Sequence, residues 1–184
     1  IGLHSLVLSK IGFETKAYEP DPTHAEILSE ILKSNRVANY SLEIAAVSVE
    51  SGTANFTRVL GNTTGSHLSG AKDSPYGDLE VFEVETVAIL DAIHRADLVK
   101  MDVEGMEKVL LPAISMESFA KTDFIAEIGS RESAERVFSH LLGLPGVKAF
   151  SQKTGWSTVT AVEDMPTNHR EGSVFITAKS TMPW

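Results

Sequence analysis

Leu98-Val99-Lys100-Met101-Asp102-Val103-Glu104-Gly105-Met106-Glu107 changes character half-way along. Its first part extends an apolar run, Asp97 to Val103, suited to a buried strand. Gly105 then opens a helical pattern expected to reach Ala113. Asp102 stands where the strand surfaces, and Gly105 permits close backbone approach at the helix start. Glu104 and Glu107 fall in the first helical turn, where the helix dipole favours acids. Strand, surfacing acid, glycine and helix together form one α/β unit.

The same alternation extends in both directions. Leu3, Leu6, Val7 and Ile11 have helical spacing and stop at Gly12. Phe13 to Glu19 is expected to be a strand, ended by Pro20-Asp21-Pro22. Asp21 is a suitable cap for the next helix and Pro22 suits its first position. That helix carries Ala25, Ile27, Leu28, Ile31 and Leu32 and stops near Asn35. Strands are expected at Tyr40 to Val49, Ala54 to Leu60 and Leu79 to Val87. Gly61 to Asp78, rich in Gly, Ser and Thr, reads as a long surface loop. Ala88 to His94 is a short helix, Phe124 to Ile128 a strand and Glu132 to Leu142 a helix. Val147 to Ser151 and Ser173 to Lys179 are strands with no clear helix between them, so they are expected to pair antiparallel at one edge. The pattern predicts one α/β domain spanning 1–184, a mainly parallel sheet with helices on both faces.

The composition narrows the function. The 184 residues include 42% hydrophobic ones, enough for a single core. The net charge of −9 argues against a nucleic-acid partner, which needs a basic face. No apolar run approaches bilayer length, so no membrane partner is expected. Cysteine is absent, which removes disulfides, thiolate metal sites and Cys nucleophiles. A reducing, cytoplasmic setting is expected. The chain starts Ile1-Gly2-Leu3 rather than with Met, and is expected to begin inside a fold.

Ligands of open α/β sheets sit beyond the carboxyl ends of the strands. Three carboxylates are expected there. Glu19 lies 17 positions after Gly2, a spacing suited to accepting hydrogen bonds from ribose hydroxyls; a solvated strand end beside a turn fits it as well. Asp102 is harder to explain without a function. Glu127, inside Phe124-Ile125-Ala126-Glu127-Ile128-Gly129, needs a partner because a bare buried charge is costly. A metal, a substrate hydroxyl or Arg131 would each serve. His67, in the glycine-rich loop, is a candidate substrate contact or base. The other histidines lack metal-ligand spacing, and no phosphate loop, nucleophile elbow or zinc-protease motif is present.

Three pieces of the chain, in order, resemble the FkbM family of S-adenosylmethionine-dependent methyltransferases. They are Tyr18-Glu19-Pro20-Asp21-Pro22, then Ala45-Ala46-Val47-Ser48 with Ser51-Gly52-Thr53-Ala54 and Gly65-Ser66-His67, and then Leu98 to Glu107. The resemblance runs from Ile1 to about Gly129. It implies a Rossmann-like sheet of seven strands, the last antiparallel. It also implies that Glu19, beside Pro20, holds the cofactor's ribose and that Ala46 and Val47 lie by the adenine. Asp102 would face cofactor and substrate, with Glu127 nearby; His67 and Glu104 are candidate substrate contacts. The family opens with a strand and a glycine-rich turn around the methionine part of the cofactor. Only Ile1-Gly2 corresponds to that turn, so the first strand is expected to be missing. The strand edges left open are expected to favour homo-oligomers.

The implied reaction is methyl transfer to a hydroxyl of a small molecule, a sugar or natural-product scaffold, with Asp102 or Glu127 as general base. A divalent cation held by the two acids is a second, less favoured route, and no metal ligand is assigned. A non-catalytic binding or assembly domain on the same fold is one rival. A nicotinamide-dependent oxidoreductase is another, though no Gly-x-Gly-x-x-Gly is present.

Overall fold

The computed structural model describes residues 1–61, 65–72 and 77–183. The fold is mixed α/β, and its backbone divides into two compact units, Ile1–Ala88 and Ile89–Trp184.

In the first unit, α1 (Leu3–Lys10) leads into β1 (Thr15–Tyr18), α2 (Pro22–Ser34) and β2 (Tyr40–Glu43). The strands β1 and β2 are parallel, with Thr15 opposite Tyr40 and Tyr18 opposite Glu43. The start of α2 follows from its sequence. The Asp21 side chain accepts from Thr23 N and His24 N, and Pro22 occupies the first turn, where a missing N–H costs nothing. Leu28 and Leu32 bury the inner face of α2 with Val37, against Leu6, Ala17, Tyr40 and Leu42.

Residues 40–49 do not form one strand. β2 pairs with β1, whereas β3 (Ala46–Ser48) pairs with a different strand, β6 (Leu79–Ala88), so the backbone changes sheet at Ile44–Ala45. β4 (Gly52–Val59) runs antiparallel to β6 along its whole length. The connection from β3 to β4 is too short for the crossover that parallel strands require. β5 (His67–Leu68) closes the four-stranded order β3-β6-β4-β5. The expected loop 61–78 therefore contains a buried strand. Its residues 62–64 and 73–76 lie outside the described residues.

In the second unit, α3 (Ile89–Ala92) precedes β7 (Leu98–Met101), α4 (Glu107–Leu110) and a 3-10 turn over Leu111–Ala113. α5 (Met116–Phe119), too short to show a periodic pattern, starts at the Ser115 side chain, which accepts from Ser118 N. β8 (Asp123–Glu127), α6 (Arg131–Leu142), β9 (Lys148–Ser151), β10 (Ser157–Thr158) and β11 (Ser173–Thr177) follow. The sheet order is β10-β9-β11-β8-β7. β7 and β8 are parallel, and β11 is antiparallel to both β8 and β9. The last strand thus runs antiparallel but is inserted inside the sheet, while β10 takes the edge beside β9. Phe119, Phe124 and Phe175 are fully buried, and the rings of Phe119 and Phe124 meet edge to face at 5.1 Å. Burying each such side chain contributes about 1.5–3 kcal/mol.

Among the described residues the expected single, mainly parallel sheet is divided into three hydrogen-bonded sheets, one wholly parallel and two of mixed direction. Among the described residues β1 is paired on one side only, by β2, and β7 ends its sheet.

Candidate functional site

Two clusters of polar side chains stand at carboxyl ends of parallel strands, one in each unit.

The first surrounds Glu19, directly after β1. Glu19 N donates to Glu43 O at 3.1 Å, so the ends of β1 and β2 lie side by side. The segment leading from Glu43 to Ala46 and Val47 therefore leaves from the same sheet end as Glu19-Pro20. Ala46 is buried and Val47 half-buried. The Glu19 Oε1 accepts from Asp21 N at 3.0 Å, and His24 Nδ1 stands 4.0 Å away. Its other oxygen has no hydrogen-bond partner among the described residues. Burial pushes the Glu19 carboxyl above the ordinary carboxylate range, against the Asp21 amide and His24. Glu19 is thus an oriented carboxylate with one acceptor oxygen to spare, which fits the ribose hydroxyls of a nucleoside.

Asp21 is wholly buried, and sequence reading found only its capping role. Arg58, from β4, grips it with two bonds, Nε to Oδ2 and Nη2 to Oδ1, each 2.6 Å. Burial alone would raise the Asp21 carboxyl. The Arg58 guanidinium, the His24 imidazole and the Thr23 amide outweigh it and hold the group below its usual range. The signal for Arg58 was a lone cation between Thr57 and Val59 in a strand.

Gly2 has φ 71°, and a Cβ on it would stand 2.5 Å from Leu28 Cδ1. The positive φ and this close approach to α2 both favour glycine at this position. His67 lies in β5 opposite Thr57, buried, with Nδ1 2.9 Å from Gly65 O. It is not a solvent-facing loop histidine.

The second cluster follows β7 and β8. Met101 is opposite Ala126, so Asp102 and Glu127 follow side by side from adjacent parallel strands. Lys100 Nζ stands 3.8 Å from Asp102 Oδ2, and Asp102 is 44% exposed. Burial and then the Asp102 charge raise the Glu127 carboxyl, Lys100 opposes, Glu104 adds and His169 opposes. Asp102, Lys100, Glu104 and His169 therefore all act on Glu127. Arg131, an expected partner of Glu127, is instead engaged by Glu135 at 2.6 Å and Glu163 at 3.5 Å. Lys100 and His169 were missed. A lysine within a parallel strand was the available signal for the first; the irregular segment around His169 offered none.

Glu107 is 2% exposed and accepts from Val103 N at 3.1 Å and Gly105 N at 3.0 Å. Burial raises its carboxyl, against these amides. It is an internal clamp on the turn after β7. Glu104, inside that turn, has φ 53°, a left-handed conformation unusual for a side chain of its kind.

Among the described residues no three His, Asp or Glu side chains are grouped closely enough to hold a metal ion. No helix among them is long and apolar enough to cross a membrane. No protein-family model, curated protein or solved structure matches the chain.

Proposed function

We propose that the chain carries an S-adenosylmethionine-dependent methyltransferase domain acting on a hydroxyl of a small molecule such as a sugar or natural-product scaffold. The observation that carries this reading is β11, the last strand, antiparallel to both neighbours and inserted between β8 and β9. The family resemblance implies an antiparallel last strand. The two polar clusters support the reading further. Both stand at carboxyl ends of parallel strands, where ligands of open α/β sheets bind.

In this reading the spare oxygen of Glu19 accepts hydrogen bonds from ribose hydroxyls, and the Ala46-Val47 segment lines the adenine. When bound, the cofactor supplies a methyl group made electrophilic by its sulfonium. Glu127 would take the proton from the acceptor hydroxyl onto its carboxylate. Its raised pKa brings it closer to the operating pH, as a general base requires. Asp102 orients the hydroxyl and keeps that pKa high through its charge. Lys100 balances part of the negative charge.

Calorimetric titration with S-adenosylhomocysteine tests the reading, with Glu19→Gln and NADH as controls. Binding of S-adenosylhomocysteine is expected, weakened about tenfold or more in Glu19→Gln by loss of a charged hydrogen bond. Binding of NADH alone would turn the assignment to an oxidoreductase. Binding of neither would leave a non-catalytic domain.

A further inference from the structure

Arg58 lies on β4, in a different sheet from β1, yet its fork closes on the turn after β1. Besides its two bonds to Asp21, Nη2 reaches Thr23 Oγ1 at 3.3 Å and Nη1 reaches Glu80 Oε2 at 2.6 Å. The Phe82 ring lies 4.7 Å from the guanidinium carbon. Four polar or aromatic groups thus fix one side chain that is 22% exposed. A planar guanidinium paired bidentately fixes direction as well as distance.

Asp21 passes this constraint on. Its carboxylate accepts from Arg58 and from the first amides of α2, and its own amide donates to Glu19 Oε1. Residue 21 therefore cannot rotate without breaking the helix cap, the ion pair or the Glu19 bond. The Glu19 carboxylate inherits its orientation from β4 through one intervening residue.

We propose that Arg58 is a positioning residue for Glu19, setting the carboxylate's preference for ligands that carry ribose hydroxyls. The inference rests on the methyltransferase reading only for the identity of the ligand. Arg58 itself touches no ligand atom; it acts through Asp21.

The test compares S-adenosylhomocysteine with its analogue lacking both ribose hydroxyls, titrated into the full chain and into Arg58→Met. The unaltered chain is expected to prefer S-adenosylhomocysteine by about tenfold, the value of a charged hydrogen bond. In Arg58→Met the affinity for S-adenosylhomocysteine should fall to that of the analogue, with the analogue's own affinity unchanged. Arg58→Lys, which keeps the charge but not the fork, serves if Arg58→Met fails to fold, and should lose most of the preference. An unchanged preference in a folded variant overturns the inference while the methyltransferase reading stands. Equal weakening toward both ligands also overturns it, because it marks a structural role alone. If the unaltered chain binds neither ligand, the reading fails and the inference fails with it; if it binds both equally, the inference is overturned while the reading stands.

Discussion

Glu104 stands in the left-handed region at φ 53°, between two amides, Val103 N and Gly105 N, that both donate to the buried carboxylate of Glu107. The clamp and the strained residue belong to one turn, directly after Asp102. Strain at a non-glycine residue persists where surrounding bonds over-determine the backbone.

Glu107→Gln keeps one acceptor oxygen and leaves one of the two amides without its partner. A stability loss of about 1–3 kcal/mol is expected. Glu104→Gly relieves the left-handed penalty, so the same Glu107→Gln change should cost less in the Glu104→Gly background. Urea unfolding of the four proteins checks this. Strict additivity would show that the clamp and the strain are unrelated.

Asp21→Asn tests the ion pair with Arg58 through its pH dependence. The Asp21 carboxyl is held below its usual range when folded. Its contribution is therefore present above the unfolded value of about 3.9 and is lost as pH falls through the folded pKa. The variant should be less stable by about 2 kcal/mol at pH 7, less than for a fully buried pair because Arg58 is partly exposed. The gap should close on acidification to about pH 2. A gap independent of pH would assign the loss to packing or to the cap.

Asp102→Asn removes a negative charge beside Glu127. Burial is the larger cause of the raised Glu127 carboxyl and the Asp102 charge the next. The Glu127 pKa should therefore fall in the variant without reaching the ordinary value of about 4.3. Carbon-13 titration of the Glu127 carboxyl group measures it directly. In the proposed reaction the same variant should slow turnover, and Glu127→Gln should slow it by about a hundredfold or more, the usual contribution of a general base.

Asp123 separates a buried hydrogen bond from an exposed ion pair in one residue. Its Oδ1 accepts from the buried Thr177 hydroxyl and its Oδ2 from the exposed Lys179 ammonium, both at 2.6 Å. Thr177→Val should cost about 1–3 kcal/mol, because a buried oxygen loses its donor. Lys179→Met should cost less than about 1 kcal/mol. Thermal unfolding of both variants checks the order; a larger loss for Lys179→Met would reverse the assignment.

The order of strands and helices was legible because each element carries its own local cause. Asp21-Pro22 starts α2 through side-chain and proline geometry confined to a few residues. The α/β class followed from that order. Asp102 was visible as an acid ending an apolar run, and Glu127 as an acid inside another. Tertiary structure alone decided the rest, because it depends on partners distant along the chain. Residues 40–49 read as one strand but serve two sheets, since β2 meets β1 while β3 meets β6. β11 read as an edge strand but lies between β8 and β9. Arg58 meets Asp21 across 37 positions, and His169 acts on Glu127 from an irregular segment. Periodicity within a segment records which face is buried, but not which other segment covers it.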